Sequence, residues 1–160
     1  MSEFDKSEIE GRNLFATLFP KYTKEYSPEK YSWWDVSGYT VSTPYVAELK
    51  QRTGKHDQYD TVMLQADKYD NLKSYTLQSG IQTFYVCFYS DATLIYNIDK
   101  IDLSTVQKET KMLPANTAED NGYKPKDIIW LPIADAKIIS RGYKKLNNNA
   151  NYNYINSTIC

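Results

Sequence analysis

Along this chain, some segments space their hydrophobic residues three and four positions apart, as helices do, and others gather them in short runs, as strands do. In residues 2–19 the apolar side chains of the second half lie three and four positions apart, which predicts a helix that ends near Pro20. The same spacing predicts a second, amphipathic helix over residues 57–75. Runs rich in β-branched and aromatic residues predict five strands, over residues 31–41, 45–52, 83–89, 92–98 and 128–133.

The breaks between these runs indicate how the strands connect. Residues 42–44 separate the first two runs and residues 90–91 separate the next two, so each pair is expected to form a hairpin. Pro132 places the last strand at a sheet edge, and residues 112–126, which are polar and contain two prolines, are expected to form a loop. This order of elements predicts an α/β sandwich with a mixed central sheet flanked by helices.

The composition fits one globular domain. The chain has 160 residues, of which 41% are hydrophobic and 24% are charged. We expect a single domain over residues 1–145 and a mobile Asn-rich tail over residues 146–160. No apolar run approaches the length of a membrane span and no N-terminal stretch resembles a signal peptide, so a cytoplasmic protein without a membrane partner is expected.

The charge balance narrows the function classes. Nineteen Lys and Arg residues face 20 Asp and Glu residues, and the net charge is -1. A protein that coats DNA without sequence preference is usually clearly basic, so this class is disfavoured. An enzyme with an acidic metal site beside a local basic patch remains compatible with the balance.

The candidate chemistry lies in the first predicted hairpin. Asp35 precedes a Glu48-Leu49-Lys50 triplet by thirteen positions. Alternation along a strand directs Glu48 and Lys50 to one face, and a turn of two to four residues around Ser42 places Asp35 opposite them. Carboxylates are ligands that Mg²⁺ accepts, the main-chain carbonyl of Leu49 offers another oxygen, and Lys50 can orient a water or hold transition-state charge.

These residues resemble the signature of a known superfamily. Asp35, the gap of thirteen positions and the Glu-x-Lys triplet are similar to the D…(D/E)xK motif of the PD-(D/E)XK nucleases. That superfamily includes restriction endonucleases, Holliday junction resolvases and phage exonucleases, and small phage or bacterial members look most similar. Many members have a proline before the aspartate, where this chain has Trp34.

The resemblance implies a fold, a reaction and further site residues. It implies a restriction-endonuclease-like fold and Mg²⁺-dependent hydrolysis of DNA, with Mn²⁺ as an alternative cofactor, in phage or bacterial DNA processing. Whether the action is endo- or exonucleolytic stays open, and dimers are frequent in the superfamily. Many members carry another metal-facing Glu on the first helix, and Glu10 is the preferred match, with Glu8 as the second choice.

Basic residues around the motif are candidates for DNA contacts. Arg52, Lys55 and Lys68 are expected to bind phosphates beside the scissile bond, and Gln65 could also reach the site. The single histidine, His56, is expected to be solvated and without a partner.

The motif is also compatible with two alternatives to a catalytic site. A Glu-x-Lys triplet occurs on solvated strand faces as well. The same fold could also serve as a catalytically inactive module that binds nucleic acid or another protein.

Overall fold

The computed structural model describes residues 2–29, 31–78, 80–116 and 121–140, which form two helices, nine strands and two 3₁₀ turns. The helices are α1 (Glu3–Leu18) and α2 (Ala66–Thr76). The 3₁₀ turns cover Ile98–Lys100 and Ile133–Asp135. The strands are β1 (Glu25–Tyr26), β2 (Val36–Tyr39), β3 (Pro44–Gln51), β4 (Thr61–Gln65), β5 (Gln82–Phe88), β6 (Ala92–Asn97), β7 (Gln107–Pro114), β8 (Tyr123–Pro132) and β9 (Lys137–Ser140).

The main sheet has six strands in the order β1-β2-β3-β5-β6-β9. β3 and β5 pair in parallel, and every other neighbouring pair in this sheet is antiparallel. Both expected hairpins are present, as β2–β3 and β5–β6. The mixed sheet carries a helix on each face, so the α/β class predicted from the sequence is confirmed.

Helix α1 covers one face of the main sheet. A capping box starts this helix, because Ser2 and Asp5 each accept a hydrogen bond from the other's backbone N–H, at 3.1 and 3.0 Å. Phe15 and Leu18 are buried against Tyr45 and its neighbours in the sheet. A side chain added at Gly11 would lie 4.0 Å from Leu49, so this turn of α1 sits directly against β3.

The other face of the main sheet is covered by α2 and by a second sheet. The second sheet is antiparallel with the order β4-β8-β7, and Val62, Leu64, Ile129 and Leu131 point from it into the shared core. The chain therefore enters the second sheet through β4, forms α2, and returns to the main sheet as β5, which explains how β3 and β5 can run in parallel.

Three sequence predictions are corrected by this second sheet. Residues 61–65 form β4 and only residues 66–76 are helical, so the predicted helix over 57–75 is wrong in its first half. The predicted loop over 112–126 contains the end of β7 and the start of β8. The predicted edge strand over 128–133 lies inside the second sheet, between β4 and β7.

Pro132 and Pro125 explain why the edge and loop predictions failed. Pro132 is the last residue of β8, where a missing N–H costs little. Pro125 lies where β8 has β7 on one side and no longer pairs with β4, which covers only residues 128–132. The single-domain prediction over 1–145 stays a prediction, and the predicted tail over 146–160 lies outside the described residues.

Candidate metal centre and nucleic-acid cleft

A cleft of about 540 Å³ opens between α1, the end of β3 and the second sheet. Asp35, Glu48 and Lys50 all line it, together with Leu49. The structure thus brings together the residues that the hairpin argument joined from the sequence. They lie on one wall of the cleft, where β2 begins and β3 approaches its end.

Asp35 is fixed by the first rungs of the hairpin. Its backbone N–H donates to the carbonyl of Ala47 at 2.9 Å, and its Oδ2 accepts from the N–H of Leu49 at 2.7 Å. Just before β2 starts at Val36, the Asp35 carboxylate therefore accepts the N–H of Leu49 in place of a backbone carbonyl. The N–H and the carbonyl of one strand residue point to the same side, so the carbonyl of Leu49 also points past the beginning of β2.

Glu48 is the most buried acid of the cleft, with 6% of its surface exposed. Its Oε1 accepts a hydrogen bond from the amino group of Lys68 on α2. Its Oε2 is buried and has no hydrogen-bond partner among the described residues. Burial, followed by the charge of Asp35, raises the pKa of Glu48 to about 8, although Lys68 acts in the opposite direction.

Lys50 lies two residues beyond Glu48 on the same face of β3. Burial lowers the pKa of its amino group, and the nearby charge of Arg52 lowers it further, while Glu48 and Asp35 oppose both effects. In the described ranges this amino group takes part in no ion pair or hydrogen bond. It is therefore a half-buried cation that can move toward an anion in the cleft.

The first helix presents Glu8, and not Glu10, to the cleft. Glu8 and Arg12 line the cleft, whereas Glu10 is exposed and is not among the lining residues. Glu8 Oε1 accepts from Arg12 Nη2 at 2.5 Å, and the same nitrogen donates to the carbonyl of Ser27 at 3.0 Å. Of the two acids that the sequence left open, Glu8 is therefore the one that lies beside the candidate site.

The three predicted DNA contacts have different surroundings. Arg52 is largely buried, and its Nη2 donates to the carbonyl of Met63 at 2.5 Å and to the hydroxyl of Tyr85 at 2.6 Å, which ties β3 to β4 and β5. Lys55 is exposed and does not line the cleft. Lys68 lines the cleft, and its amino group contacts Glu48.

Two lysines that line the cleft were missed from the sequence, because their segment was predicted to be a loop. Lys124 and Lys126 lie two positions apart at the start of β8 and point into the cleft. The alternating pattern Lys-Pro-Lys before an apolar run was the available signal. Of the two adjacent tryptophans, Trp34 packs against the core, and Trp33 lines the cleft with 43% of its surface exposed.

A second group of potential ligands lies away from the cleft, and it corrects the prediction for His56. The Nδ1 of His56 lies 2.8 Å from Asp91 Oδ2, and its backbone N–H donates to Asp91 Oδ1 at 3.0 Å. With Asp57, these residues offer ligand atoms within 4.8 Å of one another. Asp91 lies in the turn between β5 and β6, and its hydrogen bonds with His56 tie the loop that follows β3 to this turn, which is a structural role.

The donor set of the cleft fits a hard divalent cation. Asp35 and Glu48 supply carboxylate oxygens, and Oε2 of Glu48 is a buried acceptor without a hydrogen-bond donor among the described residues. Oxygen ligands of this kind suit Mg²⁺, which takes one or two carboxylates and keeps several waters. The cleft can therefore combine a cation site with the amino group of Lys50.

Comparison with solved structures shows a likeness of fold. The chain is similar in structure to Hjc, a Holliday junction resolvase from the archaeal hyperthermophile Archaeoglobus fulgidus, with 15% sequence identity and a TM-score of 0.49. The match covers 81% of this chain and 93% of that chain.

No protein-family model and no curated protein sequence matches the chain. Neither helix in the described ranges is long and apolar enough to span a membrane.

Proposed function

We propose that this protein is a metal-dependent nuclease of PD-(D/E)XK type, which hydrolyses phosphodiester bonds of DNA in the cleft. The observation that carries the proposal is the convergence of Asp35, Glu48 and Lys50 in one cleft, with Glu48 Oε2 buried and without a partner in the described part of the chain. A buried acid of this kind costs folding free energy, and a bound cation would offset that cost.

The residues that would hold the cation are Asp35, Glu48, the carbonyl of Leu49 and Glu8. Mg²⁺ is the proposed ion, with Mn²⁺ as a substitute, because all of these ligands are hard oxygens. When bound, such a cation neutralises phosphate charge and lowers the pKa of a water that attacks the phosphorus. Glu8 takes the place that the sequence resemblance gave to Glu10, since only Glu8 lines the cleft.

Three groups of the protein hold the acids in place and stabilise the reacting phosphate. The N–H of Leu49 holds Asp35 in place, so its free oxygen keeps a fixed direction. Lys68 binds Oε1 of Glu48 and leaves the buried Oε2 without a hydrogen-bond donor among the described residues. Lys50 is positioned to orient the attacking water and to stabilise the additional negative charge that develops on the phosphate.

A plasmid-nicking assay tests this proposal. The wild type is expected to cleave DNA with Mg²⁺ or Mn²⁺ and to stop when EDTA is added. Asp35→Asn, Glu48→Gln and Lys50→Met should each lower the cleavage rate by at least about a hundredfold, because each removes charge that acts in the transition state. Glu25→Gln is the matched control, since Glu25 is an exposed acid of the same sheet and does not line the cleft.

Duplex, single-stranded and branched substrates should be assayed in parallel. If the wild type is inert on all three with both metals, the nuclease proposal fails, and the alternative of a catalytically inactive module gains. If Asp35→Asn and Glu48→Gln cleave as fast as the wild type, any activity comes from another site and the assignment of these residues is wrong.

A further inference from the structure

The ribbon formed by β7 and β8 contributes positive charge to the cleft that the proposed reaction does not use. Register pairs Lys124 with Leu113 and Lys126 with Lys111, so these side chains share one face of the ribbon. Leu113, Lys124 and Lys126 line the cleft. Two positions along a strand correspond to about 7 Å, which places the two lysines in a row along the wall.

Neither Lys124 nor Lys126 has a direct ionic partner in the described part of the chain. In the described ranges neither amino group takes part in an ion pair or hydrogen bond. Burial lowers the pKa of Lys126, and the charges of Lys124 and Lys68 lower it further, while Asp67 opposes them. Acidic side chains lie nearby, at Asp67, Asp70 and Asp127, but none of them is bonded to either amino group. The two lysines can therefore each contact a phosphate.

Trp33 supplies a different kind of surface on another side of the same cleft. It belongs to the segment before β2, and 43% of its surface is exposed, whereas its neighbour Trp34 packs into the core. An exposed indole at the mouth of a charged cleft is an effective stacking partner for a nucleobase. In a duplex, both faces of an internal base are already stacked and its edge is paired.

We propose that the cleft binds an unpaired DNA strand, with phosphates on Lys124 and Lys126 and a base stacked on Trp33. This rests on the proposed function for the position of the scissile bond, but the strand contacts themselves need no metal. A cleft of about 540 Å³ has the volume of a pocket for a small ligand. An unpaired nucleotide of a flexible strand can enter a space of this size, whereas a base of an intact duplex would first have to leave its helix.

Fluorescence anisotropy in EDTA tests this inference independently of cleavage. The probes are a labelled oligo(dT) and a labelled blunt hairpin duplex, each bound to the full chain. The wild type should bind oligo(dT) more tightly than the hairpin. Trp33→Ala should weaken oligo(dT) binding about tenfold, and Trp33→Phe should retain most of the affinity because the ring remains.

The lysines are tested through the salt dependence of binding. The double variant Lys124→Glu/Lys126→Glu should reduce the slope of log affinity against log salt by about 1.4 for oligo(dT), since each phosphate contact to a single strand contributes about 0.7. The matched control is Lys108→Glu/Lys137→Glu, which changes the net charge equally on exposed strands outside the cleft. Tyr59→Ala controls for loss of an exposed aromatic ring.

The outcomes separate this inference from the proposed function. Equal loss of oligo(dT) affinity in the lysine variant and in its charge-matched control would overturn the strand contacts, as would tighter binding of the hairpin by the wild type. Metal-dependent cleavage could still occur in either case. Conversely, the expected binding pattern without any cleavage would support the strand contacts and contradict the nuclease proposal.

Discussion

Replacing Glu48 with Gln should remove a pH dependence from the stability of the metal-free protein. Glu48 has an ordinary pKa of 4.5 in the unfolded chain, and burial with the nearby charge of Asp35 raises it to about 8 in the folded protein. The folded state therefore holds a proton that the unfolded state has lost between these two pH values. The free energy of unfolding must then fall as the pH rises from about 4.5 to about 8.

The magnitude follows from the two pKa values. A difference between 4.5 and about 8 corresponds to about 5 kcal/mol of stability lost across the window. Glu48 is only 6% exposed, so solvent screens its charge weakly and most of this difference should be retained. We expect the free energy of unfolding to fall by about 2–5 kcal/mol across the window. Gln has nearly the same shape and no proton to lose, so Glu48→Gln should be less sensitive to pH by that amount.

Urea unfolding in EDTA, repeated at several values between pH 5 and pH 8.5, measures the effect. Glu25→Gln provides the control, because its exposed carboxylate should leave the pH profile of the wild type unchanged. The curves of the wild type and Glu48→Gln should diverge, with the variant relatively more stable at high pH. Parallel curves would refute the conclusion that Glu48 is buried beside Asp35 without adequate compensation.

Three other perturbations have defined outcomes. Mg²⁺ should raise the melting temperatures of the wild type and of His56→Ala, because a bound ion stabilises the folded state by mass action. It should not raise the melting temperature of Asp35→Asn. A shift that is lost only in His56→Ala would place the ion beside Asp91 instead. Arg52→Lys should lower the free energy of unfolding by about 1–3 kcal/mol in urea titrations, because a lysine cannot reproduce both hydrogen bonds to Met63 and Tyr85. An unchanged midpoint would show that these hydrogen bonds do not contribute to stability. Leu72→Ala should cost about 2–5 kcal/mol in the same titrations, since Leu72 is fully buried on the inner side of α2, and a loss below about 1 kcal/mol would contradict tight packing there.

Local patterns were sufficient where contacts are local. The helix α1 was predicted from its apolar spacing, and the β2–β3 and β5–β6 hairpins from short breaks between strand-like runs. The alternation of side chains along β3 correctly placed Glu48 and Lys50 on one face. Each of these features depends on residues a few positions apart, so the sequence carries the information directly.

The errors occurred where distant segments compete with local propensity. In residues 59–69 apolar positions fit the helical period, yet Val62 and Leu64 also alternate as in a strand. Residues 61–65 form a strand because they pair with residues 128–132 of β8, and the local sequence does not indicate that partner. The same long-range pairing turned the proline-containing segment of 112–126 into part of two strands.

Local sequence was also insufficient to choose between Glu8 and Glu10 as the acid that faces the cleft. Both acids precede the apolar positions of α1, and the sequence left both open. The rotation of the helix is set by Phe15 and Leu18 in the core and by the close approach of Gly11 to Leu49. That rotation directs Glu8 into the cleft and leaves Glu10 exposed.

The sequence by itself determined the presence of two acids and an amine on one bent β ribbon, because strand alternation and a short turn are local properties. Only the tertiary structure decided which helix acid joins them, that Lys68 pairs with Glu48, and that Lys124 and Lys126 line the same cleft. These contacts connect segments that lie far apart along the chain. They form because both sheets and both helices bury their apolar faces in common cores, and no short stretch of sequence specifies that arrangement.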